Sequence, residues 1–158
     1  MFDRLEIRVL PPGPRIAAEL RVLVNGEDLV AQSAGPAGQG PWAGLLFPRD
    51  RPSPLHATDR PHRVELGEPE CTGGCCGYLS ATVQRHGTVI RWSDWEVPRL
   101  QTRPPEFDFE AEQYDAELAR VEAGPWWHPL ARPAHPARAT SSPRTAMPSA
   151  ISDGEPAA

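Results

Sequence analysis

The chain has 158 residues, with 16 basic and 21 acidic side chains and a net charge of −5 at pH 7. That length suits one domain rather than two. The acidic balance, with no arginine-rich stripe, excludes nucleic acid as the expected partner, and no apolar run approaches the length a membrane-spanning helix needs.

The first elements read as strands. Asp3, Arg4, Glu6 and Arg8 charge the start of the sequence, so no signal peptide is expected and the cytoplasm follows as the compartment. Leu5, Ile7 and Val9 alternate with Arg4, Glu6 and Arg8, the pattern of a half-buried strand. Pro11, Pro12 and Pro14 end it, because proline cannot donate to a ladder. Alternation resumes through Ile16, Ala18, Leu20, Val22 and Val24, and this second run is expected to pair antiparallel with the first. Asn25-Gly26 readily takes the positive φ of a type I′ turn. A two-residue loop there pairs Val24 with Glu27 and Val22 with Leu29. A four-residue loop pairs Val24 with Leu29, and the hairpin over 20–31 admits both registers.

Residues 31–62 carry Pro36, Pro41, Pro48, Pro52, Pro54 and Pro61 together with Gly35, Gly38, Gly40 and Gly44. They predict a long Pro/Gly-rich loop, tacked onto the core by the apolar patch 42–47. A lid or binding loop is the functional alternative, since long loops in compact domains are uncommon. His56 and His62 are expected to be solvated. Val64 and Leu66 then face inward from a short strand.

The stretch YLSATVQRHGTVIRWSDW, 78–95, predicts a hairpin. With His86-Gly87 at its turn, Val83 pairs with Ile90 and Ala81 with Trp92, on one face with Leu79. Ser80, Thr82, Gln84, Val89 and Arg91 share the other face, and a one-residue slip would bury that polar set. Trp92 is therefore expected in the core, and Trp95 is expected to contribute less. Asp94, between the two tryptophans, reads as closing a turn; a polar group in an aromatic binding patch is the alternative. His86 reads as a hairpin tip rather than a catalytic base.

Phe107, Ala111, Tyr114, Leu118 and Val121 are spaced 4, 3, 4 and 3 apart, which predicts a helix with one apolar stripe. Asp108 is its expected N-cap. Glu110 and Glu112 near the start and Arg120 near the end suit the helix dipole, and Gly124-Pro125 stops it. From 124 to 158 periodicity disappears. The Pro/Ala-rich composition predicts a mostly disordered tail, with PWWHPL, 125–130, as a patch able to dock.

The expected architecture is one α+β domain over 1–123. It has five or six mostly antiparallel strands and a C-terminal helix packed on the sheet, followed by the 124–158 tail. A domain of that size buries roughly two thirds of its unfolded surface, enough to fold without metal or disulfides.

Chemistry concentrates in CTGGCCG, 71–77, which holds all three cysteines: Cys71, Cys75 and Cys76. Zinc takes thiolates or imidazoles, about four in a structural site. The C-x3-C-C pattern supplies three and no second knuckle, so His86, His62 or Glu70 would have to provide a fourth ligand. Neighbouring Cys75 and Cys76 are poorly placed to share an ion. The three cysteines are accordingly candidate metal ligands and no more. A Cys71–Cys75 disulfide would be transient in a reducing compartment and act as a sensor. The expected role is structural: Gly73, Gly74 and Gly77 allow a sharp turn, and thiols pack beneath it as small hydrophobes.

No P-loop, dinucleotide fingerprint, nucleophile elbow or HExxH is present, so no catalytic residue and no cofactor is expected. The function expected is that of a non-enzymatic interaction protein. Its partner would be another protein, of basic character if the acidic charge is a guide. The alternative is a small zinc-binding domain built on 71–76.

The segments CTGGCCGYLSATVQRHGTVIRWSDW (71–95) and FEAEQYDAELARVEA (109–123), with LRVLVNGEDLV (20–30), carry a resemblance. The chain resembles a family of small uncharacterised proteins of high-GC Gram-positive bacteria over roughly residues 16–123. These have a Cys/Gly-rich turn, a hairpin ending in a Trp motif and a closing segment with an F-D-x-x-Q-Y-like pattern. The resemblance implies no activity. Relatives often carry C-x-C-G-x-x-G-C where this chain has C-x3-C-C, and the tail after 124 departs from the family's closing helix.

Overall fold

A computed structural model of the chain describes residues 1–14, 17–71 and 75–124. The expected contribution of Ile16 to the second strand lies outside the described residues. So do the 125–130 docking patch and nearly all of the tail expected to be disordered.

The fold is α+β, as expected, and the described residues form seven strands, against the five or six expected, in two antiparallel sheets of order β1-β2-β3 and β4-β5-β6-β7. β1 (Leu5–Leu10) pairs with β2 (Glu19–Val24), setting Leu5 opposite Val24, Ile7 opposite Val22 and Val9 opposite Leu20. The alternation read from the sequence thus becomes one buried face. Asn25 at φ 54° and Gly26 at φ 85° form the two-residue turn, and Val24 meets Glu27. β3 (Glu27–Asp28) stops there, so Leu29 never pairs with Val22. Asp28 ends the strand because its carboxylate accepts from the Val30 and Ala31 amides and caps α1 (Leu29–Ser33).

The segment predicted as a long loop is largely tied down. It holds α2 (Ala43–Leu46), and Ala43, Leu46, Phe47, Leu55 and Ala57 enter the core. Its backbone also links the two sheets. The Leu20 amide donates to the Pro41 carbonyl at 2.8 Å, and the Ala43 amide to the Ala18 carbonyl at 2.7 Å. Two residues before Pro41, Gln39 exchanges both backbone bonds with Glu68, just beyond β4 (His62–Gly67). Gly40 makes this approach possible, since a Cβ there would lie 1.7 Å from the Leu20 carbonyl oxygen.

In the hairpin of β5 (Leu79–His86) and β6 (Val89–Glu96), Val83 pairs with Trp92 and His86 with Val89. The turn is therefore Gly87-Thr88, two residues away from the expected register. Gly87 at φ 62° takes the first central position, which suits glycine in a type II′ turn. A shift of two preserves faces, so Leu79, Ala81, Val83, Ile90 and Trp92 are all buried as expected. Trp95 is buried as well, at 3% exposure, which corrects its expected lesser role. The pairing slips between Ser80 and Thr82, and Asp94 on the facing strand adopts φ 48°. That bulge turns Trp95 onto the face of Trp92, from which simple alternation would exclude it.

β7 (Phe107–Glu110) is the strand the helical spacing concealed. Phe107 fits both periods, but Phe109 fits only alternation, and both rings are buried against β6. Helix α3 (Ala111–Glu122) consequently starts at Ala111, with Ala111, Tyr114, Leu118 and Val121 buried along the expected stripe. Asp108 does not cap it: its carboxylate pairs with Arg91 at 2.7 Å, and Glu110 holds the N-cap position without a side-chain bond. One hydrophobic cluster includes residues of both sheets and α3. Among the described residues, no helix is long and apolar enough to cross a membrane.

Candidate functional site

The seam where Gln39 meets Glu68 opens onto a groove of about 460 Å³. Gln39–Pro41 of the long connection and Gly67 of β4 line it. A Cβ at Gly67 would come within 3.0 Å of the Gln39 carbonyl and 3.1 Å of Val30 Cγ2, so glycine lets the two segments meet.

The walls carry Trp42, Leu45 and Tyr78, which are 61%, 55% and 39% exposed. Their positions follow from local structure. Trp42 is bridged to Glu19 through its backbone and begins α2, so Trp42 and Leu45, three apart, share the outer side of one helical turn. Ala43, Leu46 and Phe47 take the inner side. The patch expected to tack the loop to the core therefore does so with half its residues and presents the other half to solvent. The sequence signal was available: the turn is apolar on both sides, more than one buried face requires. Tyr78 lies immediately before β5.

Among the described residues, Glu65 and Glu68 are the charged side chains lining the groove, and no arginine or histidine lines it. The result is an acidic, aromatic-walled groove. Large apolar side chains gathered on a surface mark an interaction site more often than scattered ones do, and carboxylates beside aromatic faces suit a cation. Groove residues 39–45 come from the connection for which a binding loop was the functional alternative.

The cysteines lie in the next turn of chain. Cys71 and Cys75 are exposed and Cys76 is partly buried. Packing under the turn, the expected role, therefore does not describe Cys71 or Cys75. The structure brings the three sulfurs together instead, all within 4.8 Å of one another. Cys71 Sγ lies 2.7 Å from Cys76 Sγ, and Cys75 Sγ 3.6 Å from Cys76 Sγ. The neighbours thought poorly placed to share an ion thus point the same way. Cys75 Sγ is also 3.3 Å from the Cys71 carbonyl oxygen. Gly77 at φ 89° reverses the chain after the pair, and the Arg99 amide donates to the Cys76 carbonyl at 2.9 Å.

The proposed fourth ligands are not there. His62 and His86 lie at the end of the β4–β5 ladder opposite the cysteines, with His62 paired to Val83. β5 alone puts His86 about 23 Å along the strand from Leu79. His62 Nε2 is 2.6 Å from the Pro54 carbonyl, and His56 Nε2 pairs with Glu122 at 2.7 Å, so neither is simply solvated. Glu70, next to Cys71, does not join the cluster.

Asp94 lies exposed at the bulge, and the tryptophans beside it point inward, so the alternative of an aromatic binding patch there is not formed. In comparisons with known proteins, the chain matches no family model, no curated protein and no solved structure.

Proposed function

We propose that the chain is a non-enzymatic interaction protein, and that the groove between Trp42 and Tyr78 receives a basic segment of a partner protein. The observation that carries the reading is the gathering of exposed aromatic walls around the exposed Glu65, with no arginine or histidine among the described residues that line the groove. An arginine or lysine side chain stacks its stem and charge on Trp42 or Tyr78 while a carboxylate takes its donors. The chain's charge of −5 acts in the same direction by drawing a basic partner in, and it repels nucleic acid. A reducing compartment such as the cytoplasm fits three thiols held free and close together.

The test is a titration of the full chain with an arginine hexapeptide, and with a glutamate hexapeptide of equal length, followed through the Trp42 indole NMR signal. The arginine peptide is expected to move Trp42 and Tyr78 selectively. Trp42→Ala and Glu65→Lys should each weaken binding by about tenfold or more, and added salt should weaken it further. Equal response to both peptides, or shifts mapping away from the groove, would remove the proposal.

A further inference from the structure

We infer that Cys71, Cys75 and Cys76 form a zinc site with three thiolate ligands and a fourth position open to water or a partner's donor. The inference stands apart from the groove and does not depend on what the groove binds. Cysteine is ordinarily among the most buried residues, yet Cys71 and Cys75 are exposed here, so apolar packing does not hold them together. A disulfide would use two sulfurs and leave the third without a reason to be there. Convergence of all three within 4.8 Å is what a shared thiophilic ion requires.

The distances are close to those of such a site. Zn–S bonds of about 2.3 Å on a tetrahedron place the sulfurs about 3.8 Å apart. Cys75 and Cys76 already stand at 3.6 Å. Cys71 and Cys76, at 2.7 Å, need to open by about 1 Å to receive the ion. Cys71 is exposed, which leaves its side chain room in solvent for that movement. Cys76 itself is tied down by the bond from the Arg99 amide to its carbonyl. Soft thiolates select zinc or copper(I) over hard cations, and among the described residues no histidine or carboxylate joins the cluster. Three protein ligands with an open position is the arrangement of zinc sites that exchange their fourth ligand.

The experiment uses the full chain, reduced and stripped of metal, then titrated with zinc alone against a chromophoric chelator. Binding of one zinc per chain is expected, with cobalt(II) in its place giving the thiolate charge-transfer absorption of a three-sulfur site. Cys71→Ser, Cys75→Ser and Cys76→Ser should each weaken zinc binding by at least about a hundredfold, beyond the 10–100-fold typical of losing an outer-sphere partner. Near-UV circular dichroism of the buried tryptophans reports folding, and Cys76→Ala provides a second variant at the half-buried position. A folded, reduced chain that takes up no zinc would overturn the site. So would unchanged affinity after any one of the three substitutions, or a site that takes copper(I) and leaves zinc in solution.

Discussion

Trp92 shows how much one side chain can organise. It is fully buried, with Trp95, Phe109 and Tyr114 each edge-on or nearly so at 5.3 to 6.1 Å between ring centres. Its indole N–H donates to the Tyr114 hydroxyl at 3.2 Å, and that hydroxyl donates to the Leu55 carbonyl at 2.7 Å. The chain of bonds runs from β6 through α3 to the long connection. Burial pushes the Tyr114 hydroxyl well above its ordinary range, the more so beside Asp115, while the Trp92 bond offsets only part of this. It therefore stays a donor at any pH the fold survives. Tyr114→Phe leaves the Trp92 N–H and Leu55 carbonyl unpartnered in the core, at an expected cost of about 1–3 kcal/mol. Urea unfolding should register it, and a variant as stable as the parent would show that the two groups find other partners. Trp92→Ala and Trp95→Ala should each cost about 3–5 kcal/mol. The sequence alone pointed to a smaller loss at Trp95, and a clear gap between the two would mean that the bulge at Asp94 does not bury it.

At the scale of elements, the edge of β1 is closed by side chains rather than by another strand. Gln113 of α3 accepts from the Leu5 amide and donates to the Leu5 carbonyl, at 3.2 and 2.9 Å. Glu117 accepts from the Ile7 amide at 2.6 Å, and Arg120 donates to the Ile7 carbonyl at 2.6 Å. Residues 113, 117 and 120 follow helical spacing while Leu5 and Ile7 follow strand spacing, so one helix face reads two rungs of the ladder. An edge left open would invite pairing with another chain. Glu117→Ala is expected to cost about 1–3 kcal/mol by orphaning the Ile7 amide. It should also speed hydrogen exchange at Ile7 more than at Val22, its partner across the sheet; equal acceleration at both would point to global loss instead. None of this was legible in the sequence, which placed Arg120 only as a charge suiting the helix end. What was legible rested on alternation with one dry side, as in β1, β2, β5 and β6, because parity survives even a two-residue error in register. What escaped depended on contacts between distant segments. The Phe107–Phe109 strand needed β6 beside it, and the groove needed Gln39 to reach Glu68.

Across the whole molecule, the two sheets are joined at a second seam, opposite in sequence to the one at Gln39. The Asp3 amide donates to the Asp108 carbonyl at 2.8 Å, and the Asp108 amide donates to the Asp3 carboxylate at 2.9 Å. Beside this seam, where the Asp108 carboxylate pairs with Arg91, and at the β1–α3 edge, where Glu117 accepts from the Ile7 amide, a carboxylate is held ionised. Hydrogen bonding from Arg91, reinforced by its charge, holds the Asp108 carboxyl below its ordinary range against a partial burial effect. For Glu117, burial works upward, but hydrogen bonds from Arg120 and the Ile7 amide outweigh it and leave the group below its ordinary range. In the unfolded chain both titrate near their ordinary values, about 3.9 and about 4.3. As pH falls through that region the unfolded state takes up protons first, so stability must fall with pH. The contribution is complete above about pH 5 and is lost as each folded carboxylate is finally protonated. Urea midpoints measured from about pH 6 downward should therefore decline below about pH 5. Asp108→Asn and Glu117→Gln should each be less stable than the parent at neutral pH and lose less on acidification. Added salt should shrink the Asp108 effect more, because its carboxylate is the more exposed of the two, 40% accessible against 11% for Glu117. If the two variants decline with the same slope as the parent, other carboxylates set the acid limit and neither the Arg91–Asp108 pair nor Glu117 does.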